Sequence, residues 1–301
     1  MSQPITLATP GVSSASFWYP TYFPVSAWIE HAPFASWLID AARPRSVVEL
    51  GTHNGFSLFA FAEAARRLGL QTQLTGLDSW EGDDQAGYFD PTVYETVKRE
   101  AADRFPESVR LIRGYFVDSV DKIRDGSVDL LHIDGRHGYN DVRADFEQYR
   151  PKLSERGVVL FHDIAEHGKG FGVHRFWDEV AGQHPSFSFE HGHGLGVLAV
   201  GKRAPDSVLR FIEIAGAQGG AVRDAYARLG ARIVEYYRGA VEAPATLVHF
   251  RNLRAQAEID ARAAMEETSR LRQELARLQA SASWRVTGPL RWARGLPRRI
   301  R

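Results

Sequence analysis

Cysteine is absent from the 301 residues of this chain. Its absence excludes disulfide bonds, thiolate nucleophiles and cysteine-ligated zinc sites, and it fits a reducing compartment. Long apolar runs are absent as well, since none approaches the roughly 18 residues that a membrane-spanning helix needs. The N-terminal segment lacks the basic region and the apolar core of a secretory signal. We therefore expect a cytoplasmic protein.

An excess of either charge is also missing, because 37 Lys and Arg residues balance 37 Asp and Glu residues. A chain without net charge has no overall attraction to a polyanion, so nucleic acid is not an expected partner. The balance is not local, however. Residues 281–301 contain several arginines and no acidic residue.

What the sequence does contain is a regular alternation of strand-like and helix-like segments. Residues 26–42 predict a helix, with Pro33 at a kink or at a second start. Strands are predicted at 46–51, 72–78, 109–114, 127–134 and 157–164, helices at 56–69, 92–105, 116–123, 141–153 and 173–183, and two consecutive strands within 186–201. This order predicts an α/β fold, namely a Rossmann-like, seven-stranded, mostly parallel sheet with a closing antiparallel hairpin.

Right-handed crossovers bring the strand-to-helix loops of such a sheet to one edge, where ligands bind. The first of these loops reads ELGTHNG, from Glu49 to Gly55. Gly51 and Gly55 allow a tight turn and a close approach of the backbone to a ligand. The spacing differs from the GxGxxG of dinucleotide-binding loops. A tight turn without any ligand is the alternative interpretation.

The next two strand ends carry candidates for binding a nucleoside. Asp78 ends the second strand, where a carboxylate can accept hydrogen bonds from both ribose hydroxyls; a helix-capping role is the alternative. Trp80 is a candidate for stacking on an adenine, or for packing within the loop that follows. Phe116, after the third strand, is a candidate for adenine contact or for the core.

The stretch LLHIDGRHGY, from Leu130 to Tyr139, ends the fourth strand in Asp134, and His137 follows shortly after. The next strand ends in His162 and Asp163. Because adjacent parallel strands lie about 4.8 Å apart, we expect Asp134, His162 and Asp163 to converge. Two carboxylates and an imidazole suit a divalent cation, magnesium or, because of the imidazole, manganese. His137 could act as a base, whereas His132 lies within the strand and is predicted to be a core residue.

Taken together, these motifs resemble the class I methyltransferases that use S-adenosylmethionine (SAM). Residues 26–201 look like the metal-assisted O-methyltransferases of the methyltransferase 24 family, which act on sugars and antibiotics. The resemblance implies that Glu49, Gly51, Gly55, Asp78, Trp80 and Phe116 bind SAM. It also implies that Asp134, His162 and Asp163 bind magnesium or manganese and that His137 and Asp134 are catalytic. One residue departs from the family, because His162 stands where a carboxylate is usual.

The C-terminal third has a different character. After a helical extension at 203–246, a heptad-like row at 247–280 predicts a coiled coil, with Leu271, Leu275 and Leu278 as its most apolar positions. The basic aromatic tail, 281–301, could contact an anionic membrane surface. Its segment SASWRVTGPLR resembles one found in bacterial surface-polysaccharide enzymes. The domains are therefore an aromatic segment and helical cover (1–45), a methyltransferase domain (46–202), the helical extension, the coiled coil and the tail.

The leading hypothesis is a SAM-dependent O-methyltransferase that acts on a sugar hydroxyl of a surface polysaccharide or a glycosylated metabolite. A glycan acceptor, a second copy of the chain and the inner face of the membrane are the expected partners. Two alternatives stay open. One is a non-catalytic, SAM-binding scaffold of a membrane-associated glycan-biosynthesis complex, and the other is an NAD-dependent sugar-modifying enzyme, which the lack of GxGxxG disfavours.

Overall fold

The computed structural model of the protein describes residues 9–83, 87–168, 170–242 and 247–280. The strands are β1 (Ser46–Leu50), β2 (Gln73–Asp78), β3 (Gly82–Asp83), β4 (Gly87–Tyr88), β5 (Val109–Arg113), β6 (Val128–Ile133), β7 (Leu153–His162), β8 (Ser186–Phe189) and β9 (Leu195–Ala199). The helices are α1 (Ala32–Ala42), α2 (Phe56–Arg67), α3 (Thr92–Arg104), α4 (Tyr139–Tyr149), α5 (Val173–Ala181), α6 (Asp206–Glu242) and α7 (Leu247–Ala280).

Seven strands form one sheet in the order β5-β2-β1-β6-β7-β9-β8. The five strands from β5 to β7 are parallel, and β9 pairs antiparallel with both β7 and β8. The predicted fold class is therefore confirmed. Because these strands are parallel, the loops after β1, β2, β6 and β7 lie at one edge of the sheet. From β1 the chain first continues outward to β2 and β5 and then returns to β6 on the other side of β1, which is the switch point at which doubly wound sheets bind ligands.

The two faces of the sheet bury different apolar clusters, because successive side chains of a strand point in opposite directions. In β7, Val158 and Leu160 join the cluster that contains α1, α2 and α6, while Val159 and Phe161 join the cluster that contains α4 and α5. All four side chains are fully buried. Burial on both faces explains why the run from Val158 to Phe161 in β7 is apolar at every position instead of alternating.

The N-terminal segment and α6 cover the first of these faces. The hydroxyl of Tyr226, in α6, donates to the carbonyl oxygen of Gly11 at 2.9 Å, which fixes the N-terminal segment to the helix. Gly230 brings α6 so close to residue 30 that a Cβ atom there would collide with the carbonyl oxygen of Glu30. The helical extension thus packs on the domain, and its helix is interrupted at Gln218, whose φ and ψ are −131° and 35°.

Two predicted helices differ from the structure. The helix predicted at 26–42 begins at Ala32, after a 3-10 turn at Ile29–His31, because Pro33 fits the first turn of a helix and not its interior. The short helix predicted at 116–123 is reduced to the 3-10 turn Val120–Lys122. No helix among the described residues has both the length and the apolar character of a membrane span. The predicted basic tail lies outside the described residues.

Candidate active site

A cleft with a volume of about 1170 Å³ opens at the edge of the sheet where β1, β2, β6 and β7 end. Pockets for one drug-sized ligand measure roughly 300–1,000 Å³, so this cleft has room for more than one molecule. Of the predicted site residues, it is lined by Gly51, Asp78, Phe116, Asp134, His137, His162 and Asp163.

The loop after β1 enters the cleft at Gly51. The φ of Gly51 is 93°, and a Cβ atom there would collide with the carbonyl oxygen of Asp134. A glycine is therefore required on two grounds, the backbone angle and the close approach of the loop after β6. This contact holds the predicted cofactor loop against the predicted catalytic strand end.

Asp78 is fixed by the backbone around it. Its Oδ2 accepts the backbone N–H of His53 at 2.8 Å, and its Oδ1 accepts that of Trp80 at 2.7 Å. Burial raises the pKa of Asp78, and these hydrogen bonds oppose the rise. The carboxylate lines the cleft in an orientation that these backbone groups fix.

Three residues predicted to contact the cofactor do not line the cleft. Glu49 is fully buried beneath the loop, with Oε2 2.9 Å from Nδ1 of His132, so its support of a ligand is indirect. Trp80 is 1% exposed, and its indole N–H donates to the carbonyl oxygen of His53 at 2.8 Å, which corresponds to packing within the loop. Gly55 begins α2 with a φ of 80°. His132 lies in the core, as predicted.

Two carboxylates and one imidazole meet where β6 and β7 end, as the sequence predicts. Nδ1 of His162 lies 3.1 Å from Oδ1 of Asp134 and 3.4 Å from Oδ1 of Asp163. One ligand atom from each residue lies within 4.8 Å of the others. The φ of Asp163 is 61°, an unusual angle for a residue with a side chain, and such angles cluster at functional sites.

A second set of contacts fixes the ring of His162. Its Nε2–H donates to the carbonyl oxygen of Gly192 at 3.0 Å, and the same oxygen accepts from Nε2 of His31 at 2.8 Å. A carbonyl oxygen only accepts, so Nε2 carries the proton and Nδ1 faces the carboxylates. A histidine that binds a metal typically donates its other N–H to such an acceptor.

His137 completes the group. Its Nε2 lies 2.8 Å from Oδ2 of Asp163, and its ring stacks on Phe171 with centroids 4.5 Å apart. Burial alone would lower the pKa of His137, but Asp163 outweighs it and raises the pKa. An imidazole oriented by a carboxylate and facing a cleft is the arrangement of a general base.

The charges of the cluster are strongly coupled. Burial alone would raise the pKa of Asp134, but the imidazole of His162 outweighs this effect and lowers it. Correspondingly, burial would lower the pKa of His162, and the carboxylates, above all that of Asp134, raise it. Two carboxylates around one ring nitrogen create a site that attracts a cation, whether a proton or a metal ion.

Residues 48–164 match the family model described as a methyltransferase domain (Methyltransf_24). This segment is similar to the methyltransferase 24 family. The match agrees with the family that the sequence resembles, and it supports the predicted enzyme class, a SAM-dependent O-methyltransferase. The cleft described above is formed largely by this methyltransferase domain.

Among curated proteins, the chain is similar to the uncharacterized protein y4gI of Sinorhizobium fredii, with 47% identity over 190 residues. These residues are 63% of this chain and 21% of that protein, so the chain spans about a fifth of the length of its relative.

Several solved structures are similar to part of this chain. A putative caffeoyl-CoA O-methyltransferase from Staphylococcus aureus is 18% identical, with 59% of this chain and 85% of that chain covered and a TM-score of 0.48. The O-methyltransferase TomG from Streptomyces achromogenes, involved in tomaymycin synthesis and solved in complex with SAM, is 19% identical, with 60% and 82% covered and a TM-score of 0.45. At these identities the likeness concerns the fold alone.

The surroundings of the cleft also contain site residues that the sequence did not indicate. His31 and Gly192 hold His162 from distant parts of the chain, and only the folded structure shows that they meet. Asp145, in α4, lines the cleft, and burial together with Asp141 raises its pKa to about 7. An aspartate at the helical spacing of 141 and 145 is ordinary on a solvated face, so the sequence carried no signal of its burial.

The histidines of the turn between β8 and β9 do not form a second metal cluster with the groups that the structure describes. Nδ1 of His193 lies 2.7 Å from Oε1 of Glu166, near the mouth of the cleft. His191 is less exposed than His193, and burial lowers the pKa of His191 to about 4. These residues occupy the turn of the hairpin formed by β8 and β9.

Proposed function

We propose that this protein transfers the methyl group of SAM to a hydroxyl group of a sugar, with the help of a divalent cation. The observation that carries the proposal is the convergence of His137, His162 and two aspartates in the cleft that also contains Gly51 and Asp78. A donor site and an acid–base group therefore share one space. Methyl transfer needs a methyl donor and a deprotonated acceptor hydroxyl, with the hydroxyl oxygen in line with the bond that breaks.

The side chains fit a cation. Ligand atoms about 2.1 Å from an octahedral ion lie roughly 3 Å apart when they are neighbours, and Nδ1 of His162 lies 3.1 Å and 3.4 Å from the two carboxylates. Asp134, His162 and Asp163 would hold the ion, which would stabilise the alkoxide form of the acceptor. One imidazole among the ligands favours manganese over magnesium.

The residues of the chain supply the remaining steps. Asp78 orients the ribose of the donor, and the loop at Gly51 lets the backbone approach it. His137 accepts the hydroxyl proton at a ring nitrogen, while Asp163 holds the ring in place and stabilises the resulting charge. Positioning supplies much of the acceleration, since the sulfonium of SAM is already reactive.

A sugar acceptor is supported by the character of the cleft mouth. Phe171 and Phe89 offer flat apolar faces, while Glu166 and Asp83 offer carboxylate acceptors for hydroxyl groups. The sequence resemblance to sugar-methylating enzymes points to the same class. The setting, a surface polysaccharide or a glycosylated metabolite, belongs to this proposal too.

The test is a transfer assay with methyl-labelled SAM and a panel of nucleoside diphosphate sugars and polysaccharide fragments. The protein is assayed as purified, after EDTA treatment, and after the return of Mn²⁺ or Mg²⁺. We expect label on a glycan, its loss after EDTA and its recovery with Mn²⁺. Transfer that ignores EDTA would remove the cation from the proposal, and binding of NAD in preference to SAM would remove the methyl donor.

A further inference from the structure

The C-terminal half of α7, the last helix among the described residues, presents an apolar seam that its own domain does not cover. α7 has 34 residues and is therefore about 51 Å long at 1.5 Å per residue. Near its start, Ala257 packs on the main apolar cluster and Ala261 is 7% exposed. Farther along, Leu271 and Leu275 are 52% and 48% exposed. These two half-exposed leucines lie on one line of the helix and form an apolar patch that a second helix would bury.

The spacing of this line is that of a coiled coil. In a heptad written abcdefg, Ala261, Thr268 and Leu275 take the a positions, and Ala257, Ala264 and Leu271 take the d positions. Alternating steps of three and four residues keep these side chains on one seam when two helices supercoil. The seam therefore continues from the residues that pack on the domain to those that are exposed.

One charged pair beside the seam favours a second copy of the chain as the partner, in parallel orientation. The g positions, Asp260, Glu267 and Glu274, are all acidic, and Arg272 takes the e position after Glu267. In a parallel pair, each g residue faces the following e residue of the other helix, so Glu267 meets Arg272 twice by symmetry. An antiparallel pair would place acidic g residues opposite one another, which is unfavourable.

We propose that α7 pairs with α7 of a second copy of this chain as a parallel, in-register coiled coil. Within its own helix, Glu267 is 3.0 Å from Arg270, but both side chains are exposed and such pairs are weak. The dimer would place two methyltransferase domains at the same end of the coil. This inference does not depend on the proposed function.

The absence of cysteine allows a direct test, because a single introduced cysteine can form a disulfide only with the same cysteine of another chain. The Leu275→Cys variant places a thiol at an a position, and the control Gln273→Cys places one on the outer, f position. With the full-length chain under mild oxidation, we expect rapid interchain disulfide formation by the first variant and little by the second. Equal, slow crosslinking of both variants would overturn the proposal.

Charge reversal tests the direction independently. By analytical ultracentrifugation, Glu267→Arg and Arg272→Glu should each weaken the dimer by about fivefold, and the double variant should restore it. Failure of the double variant to restore the dimer would rule out the parallel register. A chain that stays monomeric at every concentration would rule out the dimer itself.

Discussion

Nε2 of His137 lies 2.8 Å from Oδ2 of Asp163, although the two residues follow different strands of the sheet. The carboxylate thus orients the ring, and Asp163 belongs both to the acidic cluster and to the base. The proposed cation-assisted methyl transfer needs both groups beside the acceptor hydroxyl. The contact ties them together through one side chain.

Replacement of His137 should separate catalysis from donor binding. In the His137→Gln variant, an amide N–H can still donate to Asp163, but the group cannot accept a proton at neutral pH. We expect the transfer rate to fall by about 10²–10⁴-fold, with the dissociation constant of SAM unchanged in calorimetry. The control is His184→Gln, at a residue that does not line the cleft. Equal activity of the two variants would exclude His137 as the base.

The choice of cation should depend on His162. The His162→Asp variant gives the cluster three carboxylates, the type of site that magnesium prefers, whereas an imidazole favours manganese. Thermal unfolding with increasing Mn²⁺ or Mg²⁺ measures the preference without an acceptor. We expect stabilisation by Mn²⁺ in the native protein and a shift toward Mg²⁺ in the variant. The same ion preference in both proteins would show that His162 is not a ligand.

Two glycines of α6 should respond oppositely to the same change. Gly216→Ala should raise the free energy of unfolding by about 0.5–1 kcal/mol, because alanine favours a helix and no atom lies within 4 Å of the added methyl group. Gly230→Ala should lower it, because the methyl group would collide with the backbone of Glu30. Urea unfolding compares the two variants. Stabilisation by both would mean that α6 does not pack on this segment.

The burial of Asp145 predicts how stability varies with pH. Its pKa is about 7 in the folded protein and about 3.9 when unfolded. As the pH rises through this window, the unfolded chain loses the proton first, so stability falls. The Asp145→Asn variant cannot ionise at this position, so its stability does not fall with pH for this reason. Its melting temperature should match the native value near pH 4 and exceed it increasingly up to pH 7, whereas the exposed control Asp178→Asn should show no such trend. A difference that does not vary with pH would contradict the assignment.

The sheet and the cluster could be predicted because both follow from strand ends. β6 and β7 contain β-branched residues and leucines and are bounded by polar turns; Asp134 directly follows β6, and His162 ends β7. Once a parallel sheet is assumed, these ends must be neighbours. No contact between distant side chains was needed for that step.

Other features depended on which side of a strand faces the ligand. Glu49 shares its side of β1 with Val47, which packs in the cluster of α1 and α2, and the sequence does not show which side that is. The φ of Trp80 is 53°, and its indole packs within the loop instead of in the cleft. The support of His162 by His31 joins segments that only the folded chain brings together.

The central claim is that the methyl group of the donor and the acidic cluster share one cleft. It can be measured without an acceptor, by ¹³C NMR of methyl-labelled SAM bound to the protein while Mn²⁺ is added. We predict that Mn²⁺ broadens the methyl resonance in the native protein, that Mg²⁺ does not, and that the Asp134→Asn variant abolishes the broadening. A methyl resonance that stays sharp when Mn²⁺ is bound would contradict the account.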